Sequence, residues 1–217
     1  MIEKIAGIVH LMKRTKSSKR WLDEHFNDVY VKKAQAEGYR SRAIYKLKEV
    51  DDKEGLLKPG MTVVDLGAAP GGWTQYVSQQ LQGRGRIVAL DILPMDALPD
   101  VDFIEGDFRE DEVLQQLINL IPARSLDLLL SDMAPNMSGN TAIDIPRALY
   151  LVELAFDFAE KMLKPGGTML IKVFHGAGFD DLVKQARQSF EKVIIRKPQA
   201  SRSRSKETYL LAKGYNL

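Results

Sequence analysis

The chain has 217 residues, of which 45% are hydrophobic and 28% charged, as is typical of a globular protein built as one domain. It contains no cysteine, which excludes disulfides and thiolate chemistry, and its three histidines, His10, His25 and His175, lack the spacing of metal ligands, so we expect no metal. We find neither a secretory signal nor an apolar run approaching the roughly 18 residues of a membrane span, so we expect a cytoplasmic protein without membrane contact.

The charges are distributed unevenly along the chain. Residues 1–50 carry 12 Lys and Arg against 6 Asp and Glu, residues 51–183 carry 10 against 21, and residues 184–217 carry 9 against 2. Either basic end alone could be ordinary solvated surface, but the two together favour a nucleic acid as partner. The acidic middle of the chain favours a cationic or polar ligand.

The N-terminal quarter predicts helices. Residues 1–18 are expected to form an extension, flexible or with a short helix, ahead of a single domain over residues 19–217. Residues 19–58 of that domain should hold the N-terminal helices, and residues 59–217 the sheet core. An apolar stripe predicts the first helix, over Lys19–Lys33 with Gly38 after it; its members are Trp21, Leu22, His25, Phe26, Val29 and Tyr30. Ser41 is expected to cap a second helix that runs to Val50, with Ala43, Ile44, Leu47 and Val50 on its inner face.

Strand and helix patterns then alternate. The predicted strands are Thr62–Leu66, Arg86–Ile92, Val101–Ile104, Leu126–Leu130, Thr168–Phe174, Val193–Ile195 and Thr208–Ala212, and the predicted helices are Trp73–Leu81, Glu110–Leu120, Ile145–Leu163 and Phe179–Phe190. This alternation predicts an α/β fold of Rossmann type, a mostly parallel seven-stranded sheet with helices on both faces. The last two strands are separated only by Lys197–Lys206, too short for a parallel crossover, so the last strand should be antiparallel.

The segment Val63–Trp73 is the most informative part of the chain. An apolar strand with Asp65 near its end leads into a turn containing Gly67, Gly71 and Gly72, and a helix follows. This order is typical of a nucleotide-type crevice in an open α/β sheet, because glycines let the backbone approach a ligand. The spacing is not G-x-G-x-x-G and offers no Lys-Ser/Thr for phosphates, so the turn favours a cationic adenosyl ligand over a pyrophosphate.

Acidic residues follow the next three strands. Asp91 ends the second strand, where an acid commonly binds ribose hydroxyls, Asp107 follows the third and Asp132 follows the fourth. One such residue alone would be read as a turn or helix cap. Acids at three consecutive strand ends, all meeting at one edge of the sheet, favour a binding site over an ordinary strand-to-helix turn.

Lys172 stands inside the apolar run Met169–Phe174. A lysine in a strand buried on both faces is costly unless it is paired or reaches a cleft. Its alternative explanation is a lysine that extends its ammonium group to solvent at a strand end. We interpret Lys172 as an active-site residue.

Several segments together resemble the FtsJ/RrmJ family of ribose 2′-O-methyltransferases. They are Asp65–Trp73, Ser131–Gly139, Asp144–Ala148, Lys172–Phe174 and the stretch Arg196–Glu207, and the resemblance extends from about Arg20 to the C terminus. Within the family it is strongest to the bacterial enzymes of the large ribosomal subunit. Residues 1–18 lie outside the resemblance.

The resemblance implies a site and a reaction. The family's catalytic tetrad falls on Lys46, Asp132, Lys172 and Glu207, and its contacts to S-adenosylmethionine fall on Gly71, Trp73, Asp91, Asp107 and Asp132. The implied reaction is methylation of a uridine of 23S rRNA in the large (50S) subunit, by an enzyme that we expect to be a monomer. Lys172 would either take the proton of the hydroxyl as a base or orient the hydroxyl by its charge while Asp132 accepts the proton.

The sequence leaves alternatives to this function. A tRNA or an mRNA cap could be the substrate, and a non-catalytic RNA-binding factor of ribosome assembly could keep the same fold. The complete tetrad disfavours a mere binder, and the missing G-x-G-x-x-G disfavours a nicotinamide-dependent oxidoreductase. For RNA contact we expect Tyr39 and Tyr45 as stacking residues and a set of basic residues, namely Lys13, Arg14, Lys16, Lys19, Arg20, Lys32, Lys33, Arg40, Arg42, Arg196, Lys197, Arg202 and Arg204.

Overall fold

The structure is a computed structural model that describes residues 28–202 and 205–216. The expected extension over residues 1–18 and the predicted helical residues before Asp28 lie outside the described residues. The described chain begins with helix α1 (Val29–Ala36), in which the Asp28 carboxylate accepts a hydrogen bond of 3.0 Å from the backbone N–H of Tyr30. Gly38 follows it with φ of 73°, as the sequence predicts for the end of this helix.

Two details of the N-terminal helices differ from the prediction. Val29, placed on the apolar stripe, is 74% exposed, and Val31 and Ala34 form the buried face of α1 instead. In helix α2 (Ile44–Glu54) the N-cap position is Ala43, which makes no side-chain capping hydrogen bond, and not Ser41. The helix runs past Val50 to Gly55, whose φ of 60° ends it. The predicted inner face at Ile44, Leu47 and Val50 is buried, as expected.

Within the described residues, seven strands form one sheet, as the sequence predicts. They are β1 (Thr62–Leu66), β2 (Arg86–Asp91), β3 (Val101–Glu105), β4 (Leu126–Ser131), β5 (Leu163–Phe174), β6 (Phe190–Arg196) and β7 (Glu207–Tyr215). The remaining helices are α3 (Gly72–Leu81), α4 (Asp111–Leu120), α5 (Thr141–Met162) and α6 (Phe179–Ser189). The strand order is β3-β2-β1-β4-β5-β7-β6; β1 to β5 pair in parallel and β7 is antiparallel to both β5 and β6. The predicted antiparallel last strand is thus confirmed.

The largest difference in element boundaries concerns α5 and β5. Helix α5 begins four residues before the predicted start, because the Asn140 side chain caps it by accepting the N–H of Ala142 at 3.0 Å. Strand β5 begins at Leu163, not at Thr168, since Leu163 is fully buried and pairs with Leu126 before a register shift. The local sequence pattern does not indicate this early pairing, because residues 165–167, Pro-Gly-Gly, are typical of a turn and interrupt the strand pattern.

Two apolar layers cover the sheet. Val64 and Leu66 of β1 face a core built with α4, α5 and α6, whereas Val63 faces a second core built with α2 and α3. Side chains alternate along a strand, so Asp65 lies on the same face as Val63. Tyr209 of β7 also belongs to this second core. Asp65 and Tyr209 therefore lie on the sheet face that α2 and α3 cover. None of the described helices has the length and apolar character to cross a membrane.

Candidate active site

The glycine turn after β1 lies against its neighbours so closely that side chains are excluded. Gly67 has φ of 77°, and a Cβ placed on it would lie 2.8 Å from Cγ of Met133. Gly71 has φ of 101°, and a Cβ there would lie 2.8 Å from both Nη1 of Arg40 and Sδ of Met95. Glycine at both positions lets the turn pack closely against these neighbours at the carboxyl end of β1, the edge of the sheet where the crevice is expected.

Four charged side chains from four elements converge beside this crevice. Lys46 comes from α2, Asp132 follows β4, Lys172 lies in β5 and Glu207 begins β7. The Lys46 ammonium nitrogen lies 2.9 Å from Oε1 of Glu207 and 3.9 Å from Oδ2 of Asp132, and the Lys172 nitrogen lies 3.1 Å from Oδ1 of Asp132. The Lys172 ammonium group also donates to the backbone carbonyl of Asp132. The structure thus brings together all four residues of the expected tetrad.

The sheet register explains why these residues meet. Lys172 pairs with Tyr209 across β5 and β7, and Phe174 pairs with Glu207 two residues further on. The backbone N–H of Asp132 donates to the carbonyl of Leu66 at 3.1 Å, which fixes Asp132 beside the end of β1. Their side chains are mostly shielded from water: 12% of Lys46, 18% of Asp132, 8% of Lys172 and 14% of Glu207 is exposed. At this burial, charges interact more strongly than at the surface.

Tyr209 is a member of this site that the sequence analysis did not find. Its hydroxyl donates to Oδ1 of Asp132 at 2.6 Å, and its ring lies 5.7 Å from the Lys46 ammonium group. Burial, followed by the charges of Asp132 and Glu207, holds the pKa of Tyr209 well above its ordinary value, so it stays a donor. The signal was present in the sequence, because Tyr209 follows Glu207 at the period of two that puts side chains on one face.

Asp132 is the centre of the cluster. Burial alone would raise the pKa of its carboxyl group. The charges of Lys172 and Lys46 and the hydrogen bonds from Tyr209 and Lys172 outweigh that effect and hold the pKa of Asp132 below its ordinary value. Oδ1 is occupied by Tyr209 and Lys172, whereas the partner of Oδ2 is Lys46 at 3.9 Å. Oδ2 is therefore the oxygen best able to accept a further hydrogen bond.

The expected cofactor residues occupy different surroundings. The Asp91 carboxylate accepts the backbone N–H groups of Ala69 at 2.8 Å and Leu93 at 2.9 Å, so it ties the glycine turn to the end of β2 and keeps one lone pair free on each oxygen. Asp107 forms a bidentate pair with Arg109, and that hydrogen bonding lowers the pKa of Asp107.

Gly71 and Trp73 use their polar groups within the protein. The N–H of Gly71 donates to the carbonyl of Ala68 at 2.7 Å. Trp73 is 3% exposed, its indole N–H donates to the carbonyl of Ala43 at 2.8 Å, and its ring packs against Tyr209. The Trp73 side chain therefore anchors α2, and its backbone is the part that remains for a ligand.

The loop between β4 and α5 is held by Asp144, to which the sequence analysis gave no role. This carboxylate accepts from the backbone N–H and hydroxyl of Ser138 and from the N–H of Gly139, at 2.8 to 2.9 Å. These hydrogen bonds lower the pKa of Asp144, and the bond from the Ser138 N–H contributes most. The loop beyond Asp132 is thus fixed from the first turn of α5.

Several basic residues expected to contact RNA are engaged inside the protein. The Arg40 guanidinium donates to the carbonyls of Asp96 at 2.6 Å and Ala97 at 2.9 Å. Arg42 pairs with Asp28 and donates to the carbonyl of Ala200, and Arg196 pairs with Glu54. The exposed members of the set are Lys32, Lys33 and Lys197, whereas Lys13, Arg14, Lys16, Lys19, Arg20 and Arg204 lie outside the described residues.

The two tyrosines expected to stack on bases also differ from each other. Tyr45 is 5% exposed and its hydroxyl donates to Glu37 at 2.9 Å, so its ring is part of the core. Tyr39 is half-buried and lies edge-on to Tyr45, with 6.1 Å between the ring centroids. Of the two, only Tyr39 presents part of its side chain to solvent.

A mostly parallel sheet with an antiparallel last strand, a glycine turn after β1 and a carboxylate at the end of β2 define a Rossmann-like methyltransferase. The model of the FtsJ-like methyltransferase family matches residues 39–215, and the chain belongs to this family. The resemblance inferred from the sequence motifs is thereby confirmed.

The matches to named relatives cover most of this chain. It is 84% identical over 206 residues to the Ribosomal RNA large subunit methyltransferase E of Legionella pneumophila (strain Corby), a match that covers 95% of this chain and all of the relative. It is 60% identical over 205 residues to the protein of the same name from Dichelobacter nodosus, covering 94% of this chain and 98% of the relative.

Solved structures agree with the fold. A Plasmodium falciparum protein described as a ribosomal RNA methyltransferase superposes with a TM-score of 0.74 at 30% identity, covering 82% of this chain and 98% of that one. A Clostridium thermocellum protein described as an rRNA methylase superposes with a TM-score of 0.55 at 18% identity, covering 77% of this chain and 96% of that one, and at this distance it supports the fold alone.

Proposed function

We propose that this protein transfers a methyl group from S-adenosylmethionine to the 2′-hydroxyl of a uridine in 23S rRNA of the large ribosomal subunit. The observation that carries the proposal is the cluster of Lys46, Asp132, Lys172 and Glu207 at the edge of the glycine-lined crevice. The two relatives described above are named for the large-subunit rRNA on which they act, and they cover nearly the whole chain.

The residues at this edge of the sheet suit the chemistry of the cofactor. S-adenosylmethionine supplies an electrophilic methyl group on a positively charged sulfur. Gly67 and Gly71, both with positive φ, form the turn whose backbone would lie against the cofactor. Asp91 would bind the ribose hydroxyls through its free lone pairs, and Asp132 would face the charged end of the cofactor. Asp107 would contact the adenosine part once its pair with Arg109 rearranges.

The reaction needs alignment more than activation. The attacking oxygen, the methyl carbon and the sulfur must lie in line, and fixing this geometry is a large part of the rate. Lys172 uses two N–H groups for the carbonyl and Oδ1 of Asp132. As an ammonium group it has a third N–H to orient the 2′-oxygen, and Oδ2 of Asp132 then receives the hydroxyl proton. As an amine it has a lone pair that accepts this proton directly.

The other members of the cluster hold Lys172 and Asp132 in place. Lys46 balances the charge of Asp132 and is itself fixed by Glu207 at 2.9 Å. Tyr209 holds Oδ1 of Asp132. Two cations and two carboxylates make the cluster neutral when all are charged, which limits the cost of shielding it from water.

The RNA would approach over α1, α2 and the loop before β7. Lys32, Lys33 and Lys197 are exposed there, and Arg202 is half-buried in the same loop. Arg40 would act indirectly by holding residues 96–97 beside the crevice. Phosphate contacts of this kind bind RNA without reading its sequence, so the choice of nucleotide requires contacts other than these.

One experiment tests the proposal. The protein is incubated with methyl-labelled S-adenosylmethionine and, in parallel, unmodified large subunits, naked 23S rRNA, tRNA or capped mRNA, and the labelled nucleoside is identified after digestion. We expect 2′-O-methyluridine from rRNA in the large subunit. Label in tRNA or in the cap would assign the other substrates, and absence of label from every RNA would refute methyl transfer. An Asp132→Asn variant is the matched control for the site.

A further inference from the structure

Asp65 is a buried acid that the proposed reaction does not use. It lies in β1, two residues before Gly67, and only 1% of it is exposed. Oδ2 accepts a hydrogen bond of 2.6 Å from the hydroxyl of Thr74 in the first turn of α3. Among the residues that the structure describes, Oδ1 has no hydrogen-bond partner. A carboxylate oxygen left alone in the interior is costly, so this group requires an explanation.

The register places this carboxyl group directly beneath the crevice. Asp65 pairs with Ala89 of β2 on one side and with Leu130 of β4 on the other. Two residues further along these strands, on the same face, come Asp91 and Asp132. Three carboxyl groups therefore share one end of one sheet face, with Asp65 in the layer below the other two.

Burial and the neighbouring carboxylates oppose the ionisation of Asp65, whereas Thr74 favours it. Burial is the main cause and, together with the negative charges of Asp132 and Asp91, raises the pKa of Asp65 to about 7. Thr74, the polar residue that α3 places against Asp65, stabilises the charged form through its hydroxyl and its backbone N–H. The two cations of the site, Lys46 and Lys172, are both paired with Asp132.

We propose that Asp65 is a positioning residue whose carboxyl group releases a proton to solvent when a cationic ligand enters the crevice above it, so that the site favours the charged methyl donor over its neutral thioether product. The inference rests on the proposed function, because it takes the sulfonium of S-adenosylmethionine as that cation. A positive charge above Asp65 stabilises its carboxylate, whereas S-adenosylhomocysteine carries no charge on sulfur. Product release is then favoured by the loss of that charge in the reaction itself.

The sign of the pH dependence follows directly. Below neutral pH Asp65 is protonated in the free protein and must lose its proton when the donor binds, so affinity for the donor is reduced. Affinity rises through pH 7 and levels off above it. If the cation lowers the pKa of Asp65 by about one unit, affinity for the donor rises about tenfold between the two limits.

Proton release measured by calorimetry tests this coupling. Binding heats of S-adenosylmethionine and of S-adenosylhomocysteine are measured near pH 7 in buffers of different ionisation enthalpy, which gives the protons released per ligand. The α-amino group of either ligand titrates not far above this range, so the quantity of interest is the difference between the wild type and Asp65→Asn. Asp102→Asn, which changes an exposed acid paired with Arg86, is the matched control.

We expect the wild type and Asp102→Asn to release several tenths of a proton more than Asp65→Asn on binding the donor, and a smaller excess on binding the product. Equal release from the wild type and Asp65→Asn would overturn the proposal. Thr74→Val provides a second variant that keeps the carboxyl group but loses one stabilising hydrogen bond. It should move the release to higher pH, and an unmoved midpoint would also contradict the coupling.

A third measurement needs no variant. Infrared difference spectra of the wild type at pH 6 should show a weaker band of the protonated carboxyl group when the donor is added, and a band of unchanged intensity would overturn the proposal. If the wild type binds neither ligand, the cofactor assignment fails. Binding without proton coupling contradicts only the inference about Asp65.

Discussion

Replacing Lys172 tests the centre of the site most directly. Lys172→Ala removes the ammonium group that contacts both the carbonyl and Oδ1 of Asp132. Loss of a positioned proton-transfer group reduces a rate by about 10²–10⁴-fold, which corresponds to about 3–5 kcal/mol of transition-state stabilisation. Methyl transfer to saturating RNA should fall by this factor.

The structure also bounds the effect of this change on stability. Breaking a fully buried ion pair costs about 3–5 kcal/mol, but Asp132 keeps its hydrogen bond from Tyr209 and its pairing with Lys46. We therefore expect Lys172→Ala to lower the free energy of unfolding by about 1–3 kcal/mol, the usual cost of one lost partner of a charged group. Lys172→Met, which keeps the aliphatic chain, controls for lost packing. Both variants should still bind S-adenosylmethionine by calorimetry.

Lys172→Arg separates the two possible roles of the ammonium group. Arginine keeps the positive charge but cannot give up its proton. In single-turnover assays with labelled donor, a rate near that of the wild type would show that Lys172 orients the hydroxyl by its charge. A rate as low as that of Lys172→Ala would show proton acceptance. If the alanine variant itself turns over normally with RNA saturating, Lys172 is not catalytic and the interpretation of the site is wrong.

Asp91→Ala should weaken S-adenosylmethionine binding by about 1–3 kcal/mol in calorimetry, through lost ribose contacts and a loosened glycine turn, and unchanged affinity in a folded variant would contradict this role. Tyr209→Phe removes a hydrogen bond to the charged form of Asp132, so the pKa of Asp132 should rise and the acid limb of the pH–rate profile should move to higher pH; a profile identical to the wild type would refute it. Replacing Arg202 and Arg204 by Ala should flatten the salt dependence of RNA binding and leave cofactor affinity unchanged, whereas an unaltered slope would show that this segment makes no phosphate contacts.

The sequence determined the architecture of this protein and half of its site. Apolar strands alternating with amphipathic helices are dictated by burial of the sheet on both faces, and the short last connection required an antiparallel strand. Asp91 and Asp132 could be placed because the carboxyl ends of parallel strands meet at one edge. Lys172 could be singled out because a charge inside an apolar strand is costly unless it is paired or reaches a cleft.

Tertiary structure decided the remaining contacts. Judged from local pattern, Lys46 and Glu207 are ordinary surface charges, and only family motifs singled them out. They meet at 2.9 Å because α2 and β7 contribute to one apolar cluster, in which Ile44 and Leu47 lie with Tyr209. Arg42 has the pattern of an exposed RNA-binding residue but is paired with Asp28. The partners of a charged side chain lie far away in sequence, so strand register and helix packing determine them, and local periodicity carries no information about either.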